Sequence, residues 1–160
     1  MDSSLVKAVV LAFERRLNDA LPQFKAISDQ EIPRVCRLYG SKTDKVTFFV
    51  LLQMHRRENS FTIELAWSKS DAWPVTFLVS PVPPDQAERK PDARFRLGRL
   101  WVDKDVWWDV TPGLKKMFND PTAVVEEQVA DAMAHLSRDG MPYFNRIAER
   151  LGVPFPKQLG

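Results

Sequence analysis

The sequence predicts a single α+β domain in which a mainly antiparallel sheet is flanked by one N-terminal helix and two C-terminal helices. The first observation behind this is a pair of apolar runs, Val46-Thr47-Phe48-Phe49-Val50-Leu51-Leu52-Gln53 and Ser60-Phe61-Thr62-Ile63-Glu64-Leu65-Ala66-Trp67-Ser68, joined by a short polar link. The second run alternates strictly. Phe61, Ile63, Leu65 and Trp67 fall on one side and Thr62, Glu64, Ala66 and Ser68 on the other, as a half-buried antiparallel strand requires. The second observation is that apolar spacing becomes helical towards both ends of the chain. The third is composition: 160 residues, 44% hydrophobic and 28% charged, suffice for one domain with its own core.

The elements follow in order. Ser3 or Ser4 can cap a helix that places Leu5, Val6, Val9, Val10, Phe13, Leu17 and Leu21 on one arc, and Pro22 closes it. From Pro33 the period turns to alternation, giving a short strand through Val35 and Leu38 that ends at Tyr39-Gly40. Matching the apolar faces of the hairpin sets Phe48 opposite Trp67, Val50 opposite Leu65, Leu52 opposite Ile63 and Met54 opposite Phe61, which leaves 56–59 as the tip. Residues 75–79 read as a further strand and the proline-rich, charged stretch 80–94 as a surface loop. Residues 95–98 and 106–110 are further strands about the turn Asp103-Lys104-Asp105, so the sheet has about four to six strands. Asp120 and Pro121 start a helix with Val124, Val125, Val129, Ala132, Met133 and Leu136 on its apolar arc, and Gly140 ends it. A second helix over 142–151 buries Phe144, Ile147 and Leu151 before Gly152 and Pro154 stop it.

The same residues limit the chemistry. A lone cysteine, Cys36, permits no internal disulfide and points to a reducing compartment. Lys7, Glu14, Arg15 and Arg16 interrupt the apolar N-terminal stretch, which reads as a helix rather than a signal. No apolar run is long enough to span a bilayer, and the expected location is the cytoplasm. His55 and His135 stand apart with no ligand spacing around them, so no metal or cofactor is expected. Cys36 sits in an apolar strand pattern that raises a thiol pKa, and no nucleophile elbow or phosphate loop occurs, so no catalytic residue is assigned. Asp103, Asp105 and Asp109 support an alternative reading as the carboxylate cleft of a hydrolase or nucleotide-processing enzyme. A turn flanked by Asp103 and Asp105, with Asp109 on the solvent side of a strand, explains them more simply. With 23 basic and 21 acidic residues the net charge is only +2. Arg15-Arg16, Arg56-Arg57, Arg94, Arg96, Arg99 and Lys115-Lys116 are scattered among acids, which ranks nucleic-acid binding behind a solvated surface.

Two features stand out. All five tryptophans lie in the middle third, and the consecutive Trp107 and Trp108 must face opposite ways if they share a strand, so one of them needs a second cover or a partner. On the nominally polar face of the hairpin, Phe49 and Leu51 lie beside Glu64, which again calls for a second layer or a partner. A partner-binding surface is therefore expected from Phe49, Leu51, Trp108, the hairpin tip with Arg56, Arg57 and Glu58, and Glu64 as an acidic anchor for a basic group. The loop 80–94 would border it.

The hairpin strand 60–68, Leu97-Gly98-Arg99-Leu100, Trp107-Trp108-Asp109-Val110 and Gly140-Met141-Pro142-Tyr143-Phe144 resemble small bacterial α+β proteins classed as domains of unknown function. Some such proteins look like immunity proteins that neutralise a toxin. The resemblance implies a non-catalytic binding module, an immunity protein or adaptor, whose partner is another protein such as a toxin.

Overall fold

The computed structural model describes residues 1–28, 32–69, 73, 82–113 and 122–155. Helix α1 (Ser3–Ala20) starts at Asp2, whose Oδ1 accepts from the Ser4 and Leu5 amides at 2.8 and 2.9 Å. The cap is thus Asp2 and not a serine. A carboxylate meets the unpaired N–H groups and the positive end of the helix together, and both serines fall inside the first turn. Val9, Ala12, Phe13 and Leu17 are its buried stripe.

Strands β1 (Lys25–Ile27), β2 (Cys36–Lys42), β3 (Thr47–Met54), β4 (Ser60–Ser68) and β5 (Ala93–Arg96) form an antiparallel sheet in chain order, and β6 (Trp108–Asp109) also pairs with β4. Between β3 and β4 the register is the one that apolar matching requires: Phe48 faces Trp67, Val50 faces Leu65, Leu52 faces Ile63 and Met54 faces Phe61. A slip of one residue would move the four side chains of the slipped strand to the other face. All eight are fully buried, each contributing about 1.5–3 kcal/mol of apolar burial. Aromatic contacts tie this face to the helices, among them Phe48 to Phe144 at 5.1 Å, Trp67 to Tyr143 at 5.9 Å and Tyr39 to Phe13 at 5.5 Å between centroids.

Several boundaries differ from the expectation for local steric reasons. Strand β2 runs past Gly40 to Lys42, where Gly40, Ser41 and Lys42 continue the pairing with Phe49, Phe48 and Thr47 of β3, and the space a Gly40 side chain would take is filled by the end of the Ile27 side chain. Strand β5 begins at Ala93, and Leu97–Leu100 tightens into a 3₁₀ turn in which Gly98 lies against Val106. The described part of the expected 80–94 loop contains a short helix, α2 (Pro84–Ala87), anchored by the buried Ala87. The strand expected over 75–79 and the cap expected at Asp120-Pro121 lie outside the described residues.

Gly140 does not end a helix. Helix α3 (Thr122–His135) passes through a π-helical turn, Leu136–Gly140, directly into α4 (Met141–Leu151), and Gly140 keeps helical angles of φ −71° and ψ −46°. Pro142 cannot donate a backbone hydrogen bond, and the wider turn before it carries the chain across that gap, with the Met141 amide bonded to the Leu136 carbonyl. Glycine is there for packing: a Cβ would stand 3.1–3.3 Å from methyl groups of Leu136, Leu65 and Leu97. Gly152, at φ 67°, ends α4 as expected.

Candidate functional site

The second face of the sheet carries the unusual chemistry. Register places Ile27, Leu38, Leu51, Glu64 and Arg96 in one row across β1 to β5, with Gly40, Phe49, Ala66 and Arg94 in the next. Phe49 and Leu51 are buried here in a small second core with Cys36, Leu38, Ala66 and Trp73, bordered by Ile27, Ile32 and Val35. Trp73 meets Phe49 edge-on at 5.8 Å. No residue of this cluster belongs to a helix, so strands and connecting segments supply the cover among the described residues.

Glu64 lies at the centre of this face with 2% of its surface exposed. Its Oε2 accepts from Arg94 Nη1 at 3.3 Å, and its Oε1 lies 3.8 Å from Arg96 Nη2. Burial pushes its carboxyl above the usual range, the two guanidinium groups oppose that shift, and Asp105 adds to it. Close bidentate arginine–carboxylate pairs hold at about 2.7–2.9 Å, so this pairing is loose. Arg96 Nη1 is buried with no acceptor, which costs about 1–3 kcal/mol for an unmet donor. The rest of Arg96 is held: Nε lies 3.1 Å from Asp105 Oδ2, and the guanidinium sits 5.0 Å over the Trp107 ring.

Beside this group is a cavity of about 180 Å³ lined by Ile32, Pro33, Cys36, Leu51, Gln53, Glu64, Trp73, Arg94 and Arg96. Burial, with Glu64 second, pushes the Cys36 thiol up to about 11, so it enters this space protonated and unreactive. A hollow of about 210 Å³ including Arg34 and Arg37 shares Ile32, Pro33 and Cys36 with it. Another of about 430 Å³, including Arg56 and Arg57, shares Pro33 and Gln53. Arg34, Arg37, Arg56, Arg57, Arg94 and Arg96 thus surround one short stretch of chain, and Glu14 and Glu64 are the acids lining the same hollows.

The residues expected to bind a partner divide by burial. Arg56, Arg57 and Glu58 are exposed at the hairpin tip, where His55 Nδ1 accepts from the Arg57 and Glu58 amides at 3.3 and 3.1 Å. Phe49 and Leu51 are interior, closed over by the second core. Trp108 is interior too: its Nε1 donates to Asp131 of α3 at 2.8 Å and its ring stacks on Phe61 at 5.6 Å. Its neighbour Trp107 is covered by Arg96 and by an edge contact with His55 at 5.2 Å. Glu64 is buried and faces two guanidinium groups of its own chain, those of Arg94 and Arg96.

Asp103 and Asp105 pair with Arg99 at 3.5 and 2.9 Å, Asp105 also with Arg96, and Asp109 caps the Thr111 amide at 2.7 Å. They are a turn and a strand end, each with a local partner. His135 stacks on Trp101 at 3.8 Å and contacts Asp139 at 2.8 Å. Among the described residues no group of three or more His, Cys, Asp or Glu side chains is placed to hold a metal, and no helix is long and apolar enough to cross a membrane. No protein-family model, curated protein or solved structure matches this chain.

The sequence does not single out Arg34 and Arg37, and along the chain Arg94 and Arg96 look like dispersed charge. A signal for the second pair was present. Residues two apart in a strand share a face, and Ala93-Arg94-Phe95-Arg96 alternates.

Proposed function

We propose that this chain is a non-catalytic protein-binding module, of the kind to which toxin-neutralising immunity proteins and adaptors belong, and that its partner presents an acidic surface. The observation that carries the reading is the gathering of Arg34, Arg37, Arg56, Arg57, Arg94 and Arg96 around three hollows that share lining residues. Arginine is enriched at protein interfaces, where its planar fork and apolar stem serve specificity and contact area together. Fixed like charge also steers an acidic partner and repels basic ones. A protein suits these hollows better than a nucleic acid. Their walls include apolar side chains such as Ile32, Val35, Met54 and Trp73, which receive side chains, and Glu58 at the tip opposes a phosphate track.

The test is capture from the native host under nuclease treatment, with the wild-type chain and with the folded triple variant Arg34→Glu, Arg56→Glu, Arg57→Glu, all at exposed positions. An acidic protein recovered in stoichiometric yield with the wild type and lost with the variant supports the reading. Equal recovery with both, recovery of nucleic acid alone, or no stoichiometric protein would overturn it.

A further inference from the structure

The six arginines around the hollows are not equally free to meet a partner. Arg94 and Arg96 are turned to Glu64, Arg96 also to Asp105, and Arg37 Nη1 donates to the Arg34 and Cys36 carbonyls at 3.0 and 2.9 Å. Arg56 and Arg57 are exposed at the hairpin tip, and among the described residues their guanidinium groups make no hydrogen bond or ion pair. Both line the largest of the three hollows, about 430 Å³, which is roughly the room of fourteen waters. No acid lines it. Glu58 follows on the tip, and Asp2, whose neighbour Met1 donates to the Arg56 carbonyl at 3.3 Å, already accepts from the Ser4 and Leu5 amides. Against these two acids stand Arg56, Arg57 and the exposed Arg34 between Pro33 and Val35, so the surround stays positive. Pro33 and Val35, both half-buried, give the hollow an apolar wall, and Met54, at 1% exposure, closes it beneath.

The tip is also held in shape. The His55 amide donates to the Ser60 carbonyl at 2.9 Å and the Val110 amide to the Asn59 carbonyl at 2.7 Å. His55 Nδ1 accepts from both the Arg57 and Glu58 amides, and the ring is kept in place by its edge contact with Trp107. We propose that this hollow docks one apolar side chain of a partner protein flanked by acidic residues, whose carboxylates meet Arg56 and Arg57, with His55 as the positioning residue that holds the two arginines at the rim. This rests on the protein-binding reading. A loop ordered beforehand loses little freedom on binding, so exposed ion pairs that are weak one by one can add to an apolar contact. A basic segment would meet two guanidinium groups and no lining acid. A protein segment fits better than a nucleic acid, because Pro33 and Val35 receive an apolar side chain and Glu58 repels a phosphate backbone.

The experiment is an NMR titration of the whole chain with the peptide acetyl-Gly-Glu-Leu-Glu-Gly-amide. Beside it run acetyl-Gly-Gln-Leu-Gln-Gly-amide, acetyl-Gly-Glu-Gly-Glu-Gly-amide and oligothymidylate. The expected result is saturable shifts at Val35, Gln53, His55, Arg56 and Arg57 with the first peptide. Binding should weaken at least about threefold on either change to the peptide and in the double variant Arg56→Gln, Arg57→Gln. Arg37→Gln, in the neighbouring hollow, should bind as wild type. His55→Leu should weaken binding as the double variant does, while His55→Asn, whose side-chain oxygen can accept from the amides that follow, should restore it. The absence of saturable shifts, equal binding of the glutamine peptide, equal affinity for oligothymidylate, or wild-type binding by the double variant or by His55→Leu would overturn the proposal. Shifts at the same residues that grow with protein concentration alone would make a second copy the occupant and overturn it too. The two readings fail separately. If a captured partner binds the double variant as tightly as wild type, the docking site falls and the protein-binding reading stands. If the titration succeeds and no protein is captured, the hollow takes acidic peptide chemistry from another source, and the partner protein is overturned.

Discussion

Glu64 shows how one residue can match its pattern position and still change meaning once its neighbours are known. Alternation assigns it to the less apolar face of β4, where an exposed strand glutamate would be unremarkable. The fold instead buries it between two arginines and raises its carboxyl pKa, chiefly by burial. For an acid whose folded pKa lies above its unfolded value of 4.5, the folded chain keeps the proton after the unfolded chain has released it. Stability therefore falls as pH rises from about 4.5 to the folded midpoint, and Glu64→Gln should flatten that decline. Urea unfolding of both proteins between pH 4.5 and 7 measures it; parallel curves would rule the account out. Cys36 gives a second residue-scale expectation. With its thiol pushed up to about 11 and its side chain buried, it should resist iodoacetamide at pH 8 in the native protein and react readily in urea.

At the scale of elements, the sequence was most legible where one period runs uninterrupted. The β3–β4 register could be read residue by residue, because eight large apolar side chains admit only one alignment. The arcs of α1, α3 and α4 were legible for the same reason. Strand β1 was not, since three residues, two of them exposed, carry no period. The π turn is not legible because a glycine and a proline separated by one residue ordinarily mark a helix end. Here each serves the continuing helix, one by packing and one by forcing the wider turn. Gly140→Val should accordingly destabilise by about 1–3 kcal/mol through crowding against Leu65 and Leu97, more than a helix-propensity change would cost. Loss of the α1 cap in Asp2→Ala should destabilise the protein, because the Ser4 and Leu5 amides lose their acceptor. Chemical denaturation distinguishes both from surface changes, which stay within about 0.5 kcal/mol.

The candidate site belongs to the whole molecule, and for that reason little of it could be read along the chain. Its arginines come from three separate stretches, 34–37, 56–57 and 94–96, each lining its own hollow, and only the fold sets those hollows against shared residues such as Pro33. Glu64 and the hairpin tip were recognisable from pattern; the partners that reverse the meaning of Glu64 were not. If the arginine surface steers an acidic partner, association with the captured protein should slow several-fold between low and physiological salt, with dissociation changing less, in stopped-flow or surface-binding kinetics. The same dependence on the assembled whole governs the C-terminal helix. A π turn is an α-helix with one residue too many, and each residue of an ideal helix advances the face by about 100°. Remove one residue from 136–140 and everything downstream rotates by that angle, swinging Phe144 and Ile147 off the aromatic face of the sheet. Seen this way, the extra residue is a phase setting, and it decides which side of α4 becomes interior.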